Sequence, residues 1–165
     1  EYLMLDSTVV RAHPCAAGAL RRHGGQAEQA LGRSRGGFST KVHISVDGLG
    51  NPLDFILTGG QRHDVTQAEA LLADHKSDYV IADRSYDSNG FLESIQASGA
   101  TPVIPPHPRR IEQREYDKHL YKERHLVECF IGKIKHYRRV FSRFDKLAKR
   151  YLSFLCFAGA LIWLR

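Results

Sequence analysis

The rhythm of hydrophobic and polar positions changes several times along the chain, and each rhythm predicts an element. Tyr2-Leu-Met-Leu-Asp6-Ser-Thr-Val-Val10 is apolar and β-branched with no helical period, which predicts a strand buried on both faces. From Phe38 the alternation is clean. Phe38, Thr40, Val42, Ile44 and Val46 share one face, and Ser39, Lys41, His43, Ser45 and Asp47 share the other. Asp47-Gly-Leu-Gly-Asn51 is turn chemistry, and Pro52-Leu-Asp-Phe-Ile-Leu-Thr58 completes a hairpin. Asp64 followed by Gln67 reads as a helix cap, opening a helix to about residue 75 with Ala68, Leu71 and Leu72 inward. Asp78-Tyr-Val-Ile-Ala-Asp83 is a short buried strand, and a loop then leads to a helix capped near Ser88 and stopped by Gly99. Thr101-Pro-Val-Ile-Pro-Pro106 fits an edge strand, since proline cannot donate to a ladder. A basic linker, a long helix over 118–144 and an apolar helix over about 149–164 close the chain. The predicted order is β-β-β-α-β-α-β-α-α: an α/β domain with a mixed five-stranded sheet, its first three strands antiparallel, and helices on both faces.

Two features break these patterns. Asp6 lies inside an apolar strand, where a carboxylate costs several kcal/mol unless it is hydrogen-bonded, paired or bound to a metal. The second is a polar stripe on the long helix. Tyr121, Arg124, Glu128 and Lys135 sit at offsets 0, 3, 7 and 14, which at about 100° per residue fall within an arc of roughly 60°. Leu120, Val127, Phe130, Ile131, Ile134, Tyr137 and Phe141 form the neighbouring apolar face. By spacing alone, such a stripe reads first as a solvated surface. Asp83 ends the fourth strand, however, and sites gather where adjacent parallel strands end. If the first and fourth strands are neighbours, Asp6 and Asp83 can share a cation with Glu128. Three acidic oxygen donors without His or Cys suit a hard ion such as Mg²⁺ or Mn²⁺.

Composition narrows the class. The chain has 165 residues and a formal net charge of +6, enough length for one domain with a real core. Residues 109–150 hold 14 of the 24 Lys and Arg against 6 acids, while the remainder has 10 basic and 12 acidic residues. A basic half on a neutral body suggests a polyanion partner, with a solubilising face as the alternative. Residues 11–37 form an irregular insertion ending in Gly32-Arg-Ser-Arg-Gly-Gly37; Arg33, Arg35 and the following Lys41 could approach phosphates. Cys15, Cys129 and Cys156 are too scattered for a zinc site or disulfide frame and read as reduced, buried thiols. The apolar run from Ser153 to Leu164 is too short for a span of about 20 residues and reads as a buried helix. No signal peptide is visible. The only methionine, Met4, lies just before Asp6, so a fragment, a processed product or the second frame of a split gene is expected.

These residues resemble the catalytic domain of insertion-sequence transposases of the IS4/IS5 type, over essentially the whole chain. The motif Tyr-x2-Arg-x3-Glu-x6-Lys is matched in full by Tyr121, Arg124, Glu128 and Lys135. Asp6 in Asp-Ser-Thr, Asp83 in Ala-Asp-Arg-Ser-Tyr-Asp-Ser, the block from Gly32 to His43 and the block from Thr58 to Asp64 also look like family signatures. The resemblance implies an RNase H-like fold and a catalytic, metal-binding triad of Asp6, Asp83 and Glu128. It further implies two Mg²⁺ ions, replaceable by Mn²⁺, for cleavage at the transposon ends and strand transfer into target DNA. Tyr121, Arg124 and Lys135 would hold DNA near the cleaved bond. Ser85 departs from the Gly that commonly stands there, and the family's usual N-terminal helical DNA-binding region is not in this sequence. The expected partners are terminal inverted repeats and target DNA, engaged as a homodimer in the bacterial cytoplasm at the nucleoid. Two other readings stay open: a DNA-binding remnant or part of a split transposase without catalysis, and a stand-alone RNase H-fold nuclease.

Among the other acids, Asp47 reads as a turn residue, Asp64 as a helix cap and Asp87 as a cap or supporting partner. His43, His63 and His125 read as hydrogen-bonded structural residues.

Overall fold

In the computed structural model, which describes residues 1–165 apart from the side chain of Ala27, the apolar strand that carries Asp6 lies in the middle of the sheet. Among the described residues the sheet has seven strands. They are β1 (Tyr2–Ala12), β2 (Gly32–Ser34), β3 (Gly37–Val46), β4 (Pro52–Gly59), β5 (Tyr79–Ala82), β6 (Thr101–Val103) and β7 (Ser142–Arg143). β3 pairs antiparallel with β1 on one side and with β4 and β2 on the other. β5 lies parallel to β1, and β6, parallel to β5, forms the edge that its proline fits. The five predicted strands are all present and the first three long ones are antiparallel. The count is seven because β2 and β7 add three and two residues, segments too short to show any alternation.

β1 divides its side chains between two cores, as a strand with period two must. Met4 and Val10 pack with Val42, Ile44, Ile81 and the helices on one face. Leu3 and Leu5 pack with Val80, Ala82 and the helices on the other. The second face is covered by α1 (Ala68–Leu72), buried through Ala68, Leu71 and Leu72, and by α2 (Asn89–Ala97). Ser88 caps α2 by accepting from the Phe91 N–H at 3.3 Å, and Gly99 follows in the left-handed region at φ +86°. The first face is covered by α3 (His125–Ile134), a short α4 (Arg138–Phe141) and α5 (Ala148–Trp163). Gly159 lets α5 lie close on β4: a Cβ there would stand 3.2–3.3 Å from Pro52 and Phe55.

The structure corrects four expectations. The single helix over 118–144 is broken. A 3₁₀ turn over Leu120–Arg124 leads into α3, Tyr137 turns extended at ψ 113°, and after α4 the chain joins β1 as β7. At the end of this segment stands Arg143. It is fully buried in β7 and donates to Thr40 Oγ1 at 2.7 Å and to the carbonyls of Asp145 and Ala30 at 2.9 and 3.3 Å, contacts made from an extended rather than a helical chain. As a result Phe141 leaves the apolar face and is 64% exposed. The helix after Asp64 is shorter than expected, a 3₁₀ turn over Asp64–Gln67 followed by the five residues of α1. The cysteines are all free and exposed, Cys129 and Cys156 lying on the solvent sides of α3 and α5. α5 is buried on one side only: Tyr151, Leu155 and Ala158 face the sheet, while Phe157 and Trp163 are largely exposed.

Candidate active site

Asp6 points toward α3, on the face that β1 shares with Met4 and Val10. The turn before α3 brings Arg124 above it, and the guanidinium bonds both acids: Nη1 donates to Asp6 Oδ2 at 2.8 Å, and Nη2 donates to Glu128 Oε1, one helical turn on. Asp83 follows directly from β5. Leu5 pairs with Ala82, so Asp6 and Asp83 are the next residues on two adjacent parallel strands. Asp83 caps the turn over Arg84–Tyr86, accepting from the Ser85 N–H at 2.8 Å and from the Ser85 hydroxyl. The strand register and the α3 stripe thus meet at one place.

Burial, helped by the charge of Asp83, pushes the Asp6 carboxyl above its ordinary range, against the lowering effect of the Ser7 N–H and Arg124. Arg124 moves the other way: although burial lowers it, Asp6, Glu128, Tyr121 and Asp83 hold its guanidinium more firmly protonated than usual. The Tyr121 phenol is raised by burial and feels the same Asp83 charge. Three carboxylates, one guanidinium and one phenol therefore form a single electrostatic unit.

Behind this unit, on the opposite face of β1, stands a fourth acid. Asp64 accepts from Ser7 Oγ at 2.5 Å, from Lys41 Nζ at 2.9 Å and from Ser85 Oγ at 3.1 Å. It ties β1, β3 and the Asp83 turn together and makes no capping bond, for which its turn uses His63 without a side-chain contact. Burial alone would raise it, but the bonds from Ser7, Lys41 and Ser85 hold it below the ordinary carboxylate range. The capping pattern hid this residue. The usable signal was its place at the end of the Thr58–Asp64 signature, opposite the polar positions of β3. The Tyr86 phenol, 1% exposed and unpartnered, lies beside these acids and is pushed well up by burial and their charges.

The other expectations resolve individually. Asp47 is a turn residue, accepting from the N–H groups of Leu49 and Asn51 at 2.9 and 2.8 Å. Asp87 supports the basic linker: its buried carboxylate accepts from the His107 N–H at 2.7 Å, Arg110 Nε at 2.6 Å and Arg114 Nη2 at 3.2 Å. His43 is buried with Nε2 against Thr58 Oγ1 at 2.8 Å, and His125 Nδ1 lies 2.9 Å from the Lys122 carbonyl. Tyr121 and Arg124 join the acids. Lys135 ends α3, eleven residues beyond Arg124 and so about 16 Å along the helix. Arg33 and Arg35 are exposed on the β2–β3 hairpin, and Lys41 is engaged by Asp64.

The donor set of Asp6, Asp83 and Glu128 consists of carboxylate oxygens alone, which fits a hard divalent cation in kind. The positive charge between Asp6 and Glu128 here is that of Arg124. Among the described residues no three His, Cys, Asp or Glu side chains are drawn together tightly enough to enclose an ion. No helix is long and apolar enough to cross a membrane.

Comparison with known proteins gives the same direction. Residues 2–163 match the family described as the transposase DDE domain. A Brucella ovis protein named as a candidate transposase for insertion sequence element IS6501 is 42% identical over 130 residues, covering 77% of this chain and 99% of that protein. A Burkholderia cepacia protein named as a candidate transposase for insertion sequence element IS402 is 34% identical over 135 residues; the match covers 74% of this chain and 62% of that longer protein. With residues 2–163 matched by the family and two insertion-sequence transposases at 42% and 34% identity, the chain belongs to the DDE transposases and is a transposase catalytic domain.

Proposed function

We propose that this chain is one RNase H-like domain of the IS4/IS5 type whose catalytic acids are Asp6, Asp83 and Glu128. In this reading it cleaves DNA at transposon ends and joins the free 3′ ends to target DNA. The observation that carries the assignment is the placement of Arg124, which bonds Asp6 and Glu128 at once and lies within the field of Asp83. Carboxylates from β1, the end of β5 and α3 have no structural need to converge, and such a group is costly unless it has a use.

Asp6, Asp83 and Glu128 would hold Mg²⁺ or Mn²⁺, which when bound supplies charge stabilisation at the reacting phosphate and a nucleophile at neutral pH. The protein's own residues do the rest. Arg124 offsets carboxylate repulsion and, by its fork, can take a phosphate oxygen when it releases an acid. Tyr121 orients Arg124 and offers a hydroxyl beside it, while Lys135, farther along α3, gives a point charge to the flanking backbone. Arg33 and Arg35 would bind DNA on the other face of the sheet, while Lys41, expected beside them, is engaged by Asp64 and supports that face from beneath. DNA ends engaged by two copies would make the working unit a homodimer.

The test is cleavage of DNA carrying a candidate transposon end, with Mg²⁺, Mn²⁺ or EDTA, comparing wild type with Glu128→Gln. Metal-dependent nicking that the variant loses supports the triad. Transfer of a labelled end into target DNA separates transposition from simple nuclease action. Nicking that survives Glu128→Gln undiminished overturns the assignment.

A further inference from the structure

Two glycine-rich stretches far apart in sequence meet on the face of the sheet that α1 and α2 leave bare. One is the Gly32–Gly37 segment of the β2–β3 hairpin; the other is Gly59-Gly-Gln61, at and just after the end of β4. The Gln61 amide lies against both Gly32 and Gly59. A Cβ on Gly32 would stand 1.7 Å from Gln61 Oε1, and one on Gly59 would stand 2.7 Å from it, so a side chain at either position would have to displace the Gln61 amide. Gly60 is just as constrained: its N–H donates to the Ser39 carbonyl at 3.2 Å, and a Cβ there would come 2.0 Å from Ser39 Oγ. These contacts floor an open groove of about 650 Å³.

The walls of the groove are cationic. Arg11 from the end of β1 joins Arg33 and Arg35 from the hairpin, with Ser34 and Gln61 as neutral donors, and no acid among the described residues lines it. Val9, in the central strand, is 43% exposed at its base, an apolar floor left uncovered by the fold itself. Charge and donor type suit a chain of phosphodiesters. Flat sugar edges can lie on Val9 and the glycines while forked guanidiniums meet the phosphate oxygens.

The groove lies on the opposite face of the sheet from Asp6 and is linked to the catalytic acids through a chain of contacts. Val9 pairs across the ladder with Lys41, whose Nζ is held by Asp64, and Asp64 in turn holds Ser85 beside Asp83. From Asp6 to Arg11 is five residues along an extended strand, about 17 Å, which at 3.4 Å of rise per nucleotide is on the order of five nucleotides.

We propose that this groove binds the sugar–phosphate backbone of DNA flanking the cleaved bond, with Arg11 and Gln61 as members beyond the hairpin arginines. The inference rests on the DNA-transposase reading of the catalytic site. A strand that passes Asp83 continues across the bare sheet face and leaves over the β2–β3 hairpin.

Fluorescence anisotropy with a labelled duplex of arbitrary sequence, titrated with NaCl and without metal, reads the groove directly. For wild type, log K falls linearly with log salt. Each lost phosphate contact reduces the slope by about 0.9 on duplex or about 0.7 on a single strand, and weakens binding about eight-fold at 0.1 M salt on duplex. Arg11→Ala, Arg33→Ala and Arg35→Ala together are expected to remove two to three such contacts, while Arg→Lys at the three positions restores the slope. Lys76→Ala, beyond α1, is expected to leave it unchanged. A triple alanine variant that keeps the wild-type melting curve and the wild-type slope overturns the groove. Equal loss from Lys76→Ala also overturns it, because the binding would then be diffuse. Wild type without salt-dependent DNA binding refutes the DNA reading beneath it, so the two failures are distinguishable.

Discussion

Replacing Asp64 by alanine removes one carboxylate and leaves three donors without their acceptor. Lys41 is the costly one, since its side chain is only 13% exposed and that of Asp64 only 21%. A half-buried pair of this kind falls between an exposed ion pair, worth about 0–1 kcal/mol, and a broken buried pair, which costs about 3–5 kcal/mol. Ser7 Oγ is part-buried and adds about 1 kcal/mol. Ser85 is exposed, retains Asp83 as a partner, and adds little. The expected cost is about 2–3 kcal/mol, which for a domain of this size lowers Tm by about 4–12 °C. Urea unfolding measures it, with Lys41→Met and the double variant completing a cycle. Coupling of at least about 1 kcal/mol is expected for groups in direct contact. Acid adds an independent check. The folded carboxyl is held below its ordinary 3.8, so its stabilisation is fully present above the unfolded value and is lost as pH falls through the folded one. A loss under about 0.5 kcal/mol, the range of an ordinary surface substitution, with no coupling to Lys41, would refute the clasp and return Asp64 to a surface turn.

Burial lowers His43 from 6.5 to about 4, with Lys41 helping and Asp64 opposing. It is neutral in the folded protein while the unfolded chain takes up a proton. This residue therefore costs nothing above about pH 6.5, and stability falls between 6.5 and 4 by an amount on the order of 3 kcal/mol. Unfolding curves for wild type minus His43→Gln should show that step, and a flat difference would contradict it. Arg143→Ala strips the donor from Thr40 and from the carbonyls of Ala30, Asp145 and Lys146. A loss of about 2–4 kcal/mol is expected by urea unfolding, with Arg143→Lys recovering only part because it lacks the fork.

The strands were legible because their rhythm is local: β1 as an unbroken apolar run, β3 as strict alternation, and β6 by its prolines. Asp6 stood out because a carboxylate in such a run demands a partner, and the α3 stripe did supply that partner in Arg124. What could not be read depends on side chains meeting across the chain. Nothing local in the run from Lys135 to Phe144 says that Arg143 will be held by the Ala30 carbonyl and the Thr40 hydroxyl from two distant segments, where the chain runs extended instead of helical. Asp64 was misread for a related reason: an acid three residues before Gln67 satisfies a capping pattern, yet Lys41 and two serines compete for the same carboxylate and win. The cysteines failed differently, because exposure is set by which way α3 and α5 face, and single thiols carry no rotational information.

β1 explains why two acids that look unrelated in sequence belong to one machine. Its side chains alternate, so Asp6 faces α3 while Ser7, its neighbour, faces Asp64 on the other side of the sheet. The Asp83 turn lies at the end of the adjacent strand and is reached from both directions, through the field shared with Asp6 and through Ser85 to Asp64. Any shift of β5 against β1 would strain both connections at once. A glycine at position 85 would forgo the hydroxyl that bonds Asp64 and Asp83. In this chain Ser85 therefore makes the spacing of Asp6 and Asp83 depend on Asp64, and Asp64 on Lys41, the ladder partner of Val9 in the arginine-lined groove.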